Sequence, residues 1–161
     1  GSPGKKGATY QLELKNGKEV GRKLIQEIIV VEPVTQIVAR GKAVYIPADK
    51  SIWMTAAGIS QSDFPFVQYI INHENALWCP TRWQGQISCP AFYQEKYPGA
   101  ENDRQLGYGL CQSTPASKMS SAGADWRVNA VTQLKWCSGY AIGRYRSWEN
   151  AYNYWISHNN W

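Results

Sequence analysis

At 161 residues and a net charge of +5, the chain is long enough for one domain with a substantial core, or for a domain of about 100 residues with a smaller module beside it. No apolar run approaches the roughly 20 residues that span a bilayer. The four cysteines show neither a Cys-X-X-Cys pair nor the histidine spacing of a zinc site, so neither a metal nor another cofactor is expected.

Composition breaks near residue 50. All eight Trp lie at or after Trp53, whereas the first fifty residues hold only Tyr10 and Tyr45 of the aromatic set. Those fifty carry nine Lys/Arg against five Asp/Glu, and the remainder is nearly balanced at eight against seven. The basic surplus is therefore amino-terminal, where it favours anionic polymers by long-range attraction. It is diffuse and comes with no recognition helix or stacking motif, which speaks against a nucleic-acid partner.

In chain order, Tyr10, Leu12 and Leu14 alternate, Asn16-Gly17 is a strong hairpin turn, and Leu24 to Val31 is a β-branched run stopped by Glu32-Pro33. A third strand is expected over Val34 to Ala39, completing a small antiparallel β-meander. Lys42 to Ile59 lacks sustained periodicity and reads as a linker that partly packs on the second domain. From Ser62 the period becomes helical: Ser62 or Asp63 can cap, Pro65 suits the first turn, and Phe66, Ile70 and Glu74 share a face. Trp78 to Gln105, rich in Pro, Gly and aromatic residues, reads as a long loop with one short helix around Phe92 to Tyr97. Asn129 to Tyr145 is a second amphipathic helix, with Val131, Leu134, Cys137 or Ser138, Ala141 and Ile142 inward. Trp148 to Ser157 is a third, carrying Ala151, Tyr152 and Trp155. The fold class is α+β, α-rich with its strands at the amino end, divided into 1–41, a linker at 42–59 and a helical domain at 60–161.

The helical period places Glu74 along an apolar stripe near a helix end, where desolvation raises a carboxyl toward the working range of a general acid. A surface salt bridge is the plain alternative for such a residue. Four cysteines allow three disulfide connectivities. No Cys-His-Asn constellation accompanies them, which speaks against a nucleophilic-cysteine enzyme.

Three motifs carry a resemblance: Glu74 at a helix end, Tyr108-Gly109-Leu110-Cys111-Gln112, and the run Ser117-Lys118-Met119-Ser120-Ser121-Ala122-Gly123-Ala124-Asp125-Trp126 followed by Arg144-Tyr145-Arg146-Ser147. Over roughly 59–161 they resemble lysozyme-like peptidoglycan-cleaving domains, nearest the secreted transglycosylase-type modules of Gram-positive bacteria. The resemblance implies that Glu74 is the catalytic acid for the β-1,4 bond between N-acetylmuramic acid and N-acetylglucosamine, and that the partner is the peptidoglycan glycan strand. It implies further that Gly109 lets the backbone approach a sugar and that Gln112 lines the cleft. Tyr108 and Tyr145 are expected to face substrate, with Asn75 beside the acid where relatives carry a serine. Trp78 and Trp83 are the expected sugar-stacking side chains, and Trp148, Trp155 and Trp161 fall on family packing positions. Asp125 is expected to brace the turn before the Asn129 helix. Cys111 stands where the family has a core-facing methionine, so Cys111 to Cys137 and Cys79 to Cys89 is the pairing implied, with the other two connectivities open.

The wording from Asn16 to Ile25, continued by Glu32-Pro33-Val34-Thr35 and Arg40-Gly41, resembles the later half of the G-five domain, a wall-associated β module. A β module ahead of a lysozyme-like domain is also the layout of resuscitation-promoting factors. Secretion or wall association is expected, and Gly1-Ser2 reads as a cloning remnant with any export signal upstream of it. The alternative is a non-catalytic wall-binding or aggregation-promoting protein that uses the cleft as a lectin.

Overall fold

A computed structural model describes residues 3–32 and 46–161. The chain separates into two units, 1–40 and 41–161. In the first, β1 (Lys5–Lys15) and β2 (Lys18–Val31) pair antiparallel. Asn16 and Gly17, at φ +52° and +77°, supply the two left-handed residues that a tight hairpin turn needs. Tyr10 pairs with Leu24 and Leu12 with Arg22, and the Arg22 guanidinium lies 5.5 Å from the Tyr10 ring centroid. The register shifts three times along the ribbon. The apolar side chains that alternate here, Tyr10, Leu12, Leu14 and Leu24, are exposed, because among the described residues the two-stranded ribbon has no second layer to bury them. The third strand expected at Val34 to Ala39 lies outside the described residues.

The second unit is helical, so the α+β class holds. Its elements are α1 (Ser51–Ala56), α2 (Phe64–Glu74), α3 (Ala130–Tyr145) and α4 (Trp148–His158), with 3₁₀ turns at Gln61–Asp63, Ala100–Asn102 and Ala116–Ala122. The end of the segment read as a linker forms α1 and sends Met54 and Ile59 into the core. Pro65 sits in the first turn of α2 as expected, while Asp63 at the N-cap makes no side-chain capping bond. Asn129 caps α3 by accepting from the amides of Val131 (2.9 Å) and Thr132 (3.4 Å), and Ser147 caps α4 through Asn150 (3.0 Å), each satisfying orphan donors of a first turn.

The inward face of α3 differs from the expected stripe. Leu134, Cys137 and Ala141 are buried, but Gln133 replaces Val131 as a fully buried member and Ile142 is exposed. The helix expected around Phe92 to Tyr97 does not form; that stretch is non-helical, and the turn comes later, at Ala100–Asn102. Two disulfides close the unit, Cys79–Cys89 and Cys111–Cys137. The first staples the loop after α2. The second ties the Tyr108–Ser113 turn to α3.

Two apolar cores result. The larger joins Val67, Ile70 and Ile71 of α2 to Leu134 of α3 and to Trp148, Ala151 and Trp155 of α4. The smaller gathers Trp83, Tyr108, Met119 and Trp126 under the loop, with Trp136 packed against both. Glu101 and Arg127 bridge the smaller core's rim through paired hydrogen bonds, the second at 2.6 Å, and Tyr93 donates to the same carboxylate at 2.5 Å. The guanidinium beside Glu101 holds its carboxyl below the ordinary value.

Candidate active site

Glu74 is the last residue of α2, which ends because Asn75 leaves helical geometry at φ −151°, ψ 76° while still donating its amide to Ile71 O at 2.7 Å. The Glu74 carboxyl is half-buried, and its Oε1 accepts the Trp155 indole N–H from α4 at 2.9 Å. Tyr69 and His73 stand against Trp155, with ring centroids 5.6 and 4.5 Å away. This aromatic wall withdraws water, and burial raises the carboxyl above its ordinary 4.5, opposed in smaller measure by the Trp155 bond and by His73. The carboxyl thus holds its proton more tightly than a free one, while one indole hydrogen bond stabilises the anion.

Glu74 opens on a cleft of about 500 Å³ walled by His73, Gln84, Arg104, Gln105, Gly107, Cys111, Gln112, Thr114, Asn160 and Trp161. Among the described residues it is the only acidic side chain lining that cleft. Four other carboxylates of this unit are committed elsewhere. Glu101 is held by Arg127, Asp103 accepts from Tyr97 and from the Gln105 amide, Glu95 accepts from the Gly99 amide, and Asp125 braces Thr132 and Asn129 at 2.7 and 2.6 Å.

The residues expected around substrate divide. Gln112 lines the cleft, its backbone at φ +47° and its Nε2 donating to Gly109 O at 2.8 Å. Tyr108 and Gly109 do not line it. Tyr108 is fully buried, its hydroxyl bonded to Arg127 O at 2.5 Å, and burial pushes that phenol well above its ordinary range. Gly109, at φ +73°, is required by a different neighbour than a sugar: an added Cβ would lie 2.5 Å from Gln133 Oε1. The glycine that belongs to the cleft is Gly107, where a Cβ would meet the Gln112 side chain at 2.9 Å.

Asn75 is fully buried and spends its amide on the frame: Nδ2 donates to Cys79 O at 2.7 Å and to Gly109 O at 2.9 Å, and Oδ1 accepts from the Cys79 amide at 3.3 Å and from Arg82 Nη1 at 3.4 Å. It makes no hydrogen bond to Glu74. Trp78 and Trp83 are also core residues rather than stacking platforms, their indole N–H groups donating to Asn72 Oδ1 and Gln94 O at 2.7 Å each. A buried indole must find an acceptor, and both do so close by in the chain. Tyr145 is part-buried between Tyr140 and Tyr154, with ring centroids 6.2 and 5.0 Å away; its hydroxyl has no hydrogen-bond partner among the described residues, and burial pushes it up to about 12. It does not line the cleft.

Trp155 and Trp161, expected to pack, do more than that. Trp155 is in the core and also supplies, among the described residues, the one side-chain hydrogen bond to the Glu74 carboxyl; Trp161 is a wall of the cleft. Arg104, Gln84 and Gln105 escape a reading of the sequence, since isolated polar residues in a loop carry no periodic signal.

Among comparisons with known proteins, the model of the G5 domain matches residues 1–43, which include the whole of the β1–β2 hairpin. No curated protein and no solved structure matches the chain.

Proposed function

We propose that the second unit is a peptidoglycan-cleaving enzyme with Glu74 as its general acid, cutting the β-1,4 bond after N-acetylmuramic acid. The observation that carries this reading is the half-buried carboxyl of Glu74, raised by desolvation, braced by Trp155 and facing an open polar cleft. Glycosidic cleavage requires such a proton donor at the leaving oxygen. The motif resemblance over residues 59–161 points the same way.

A two-carboxylate glycosidase holds its second acid about 5 to 9.5 Å from the first. With Glu74 alone in the cleft, the reading favours a lytic transglycosylase. The acid protonates the leaving oxygen, the acetamido group of the muramic unit stabilises the oxocarbenium, and the Glu74 carboxylate then takes the proton of that sugar's own 6-hydroxyl. Attack by the 6-hydroxyl closes a 1,6-anhydro ring, and its high effective concentration lets it compete with water. The amino-terminal unit, as a G-five module with a basic surplus, would hold the enzyme on wall polymers outside the cell.

Mass spectrometry of fragments released from purified sacculi tests both parts. Wild type should yield 1,6-anhydro-muramic ends, and Glu74→Gln should lower the yield about 10²-fold or more while keeping glycan binding. The rate should fall as pH rises through the raised carboxyl, above 4.5. Reducing ends carrying oxygen-18 from labelled water would replace transglycosylation by hydrolysis. Binding without any cleavage by wild type would leave the lectin reading.

A further inference from the structure

The cleft at Glu74 does not end at Trp161. It shares Cys111, Gln112, Thr114 and Trp161 with a narrow hollow of about 50 Å³, and that hollow shares Trp136 and Tyr140 with a third, of about 410 Å³, reached past Lys135 and Gly139. Three hollows that share wall residues lie side by side on this face, and we read them as one groove, the shape that a polymer requires.

We propose that Trp136, Tyr140 and Trp161 form a sugar-stacking platform in this groove, distal to Glu74, for a glycan strand bearing carboxylate substituents. The proposal rests on the reading of the cleft as a glycan site and names the part of the strand the site selects. Trp136 and Tyr140 are four residues apart on α3, so one face of the helix presents both, and their rings lie nearly parallel, 13° apart with centroids at 5.4 Å. Trp161 stands edge-on to Tyr140 at 5.3 Å and is backed by Trp148 at 5.5 Å. All three rings are half-buried and line the narrow hollow, and the Tyr140 hydroxyl, which accepts from Arg144 Nη1 at 2.6 Å, is held in place by that bond. Pyranose rings present C–H faces that such surfaces take up without hydrogen bonds.

Charge selects among glycans. Arg104, Lys118 and Lys135 line the three hollows, and none makes an ion pair among the described residues. Among the described residues, no acidic side chain other than Glu74 lines any of them. A strand with carboxylates along its length is therefore attracted over the whole groove, and a neutral strand of the same backbone is not.

Calorimetry on the Glu74→Gln protein, which holds substrate without consuming it, tests the platform. The probes are a peptidoglycan disaccharide and tetrasaccharide bearing free lactyl carboxylates, and neutral chitotetraose. Affinity should rise from disaccharide to tetrasaccharide. Tyr140→Ala should remove about three- to tenfold of that rise, and Lys135→Glu should weaken the carboxylate-bearing tetrasaccharide while leaving chitotetraose unchanged. Gly139→Leu is the second variant: Gly139 lines the outer hollow and nothing lies within 4 Å of a Cβ there, so the added side chain should occupy the hollow and abolish the same rise, with an unchanged thermal midpoint as the check on folding. Tetrasaccharide binding untouched by Tyr140→Ala and Gly139→Leu overturns the platform and leaves the Glu74 cleft as a glycan site. No binding of any probe overturns both.

Discussion

Asn75→Ala separates a framing residue from a substrate contact. The side chain is fully buried and donates two hydrogen bonds, to Cys79 O at 2.7 Å and Gly109 O at 2.9 Å, while its Oδ1 accepts from the Cys79 amide at 3.3 Å and, at the longer 3.4 Å, from Arg82 Nη1. After truncation Gly109 O keeps the Gln112 Nε2 at 2.8 Å and Cys79 O keeps the Arg82 amide at 3.3 Å. The buried Cys79 amide is left without that acceptor, whereas the part-exposed Arg82 loses only its long contact and keeps Gln86 O through Nε at 2.7 Å. Two lost bonds at about 1 kcal/mol each and one orphaned donor at about 1 to 3 kcal/mol give a destabilisation of about 3 to 5 kcal/mol. Urea unfolding of the oxidised protein measures it. Asn75→Ser, whose hydroxyl has one proton to donate, should fall between wild type and Asn75→Ala. A loss below about 1 kcal/mol for Asn75→Ala, with glycan affinity reduced instead, would refute the frame and restore Asn75 as a substrate contact.

Gly109→Ala should cost about 2 to 4 kcal/mol, since it strains a left-handed backbone and drives a Cβ into Gln133; thermal unfolding checks it, and a neutral result would mean that Gln133 moves freely. Glu101→Gln should cost about 1 to 2 kcal/mol at pH 7, a charge-assisted pair discounted because Arg127 is partly exposed. Its pH dependence has a definite sign: the Glu101 carboxyl is held below its ordinary 4.5 by Arg127, so the pair stabilises the fold above 4.5 and loses that contribution as pH falls through the lowered value. The gap between wild type and Glu101→Gln in urea titrations should therefore close in acid, and a gap that is constant from pH 7 to strong acid would contradict the assignment.

Local chemistry settled the elements that depend on neighbours in sequence. Asn16-Gly17 dictates its hairpin because few residue pairs tolerate two successive left-handed conformations. The 3.6-residue period puts Glu74 at the end of α2 on the same face as Ile70, and Asn129 and Trp148 mark the starts of α3 and α4 to within one residue. The α+β class rests on those same signals. Tertiary structure alone decided which side chains meet. Trp155 reaches Glu74 across 81 residues, and Gln133 reaches Pro80 O across 53; no local period encodes a hydrogen bond between elements brought together by packing. The aromatic residues show the limit most clearly. Trp78 and Trp83, in a loop rich in Pro and Gly, look like surface side chains, yet the loop folds over its own core and takes them inside, while Trp136 and Tyr140, on a helix read for its buried stripe, line surface hollows. A tryptophan offers a large apolar face and one donor in every environment, so only the surface around it decides whether that face packs or binds.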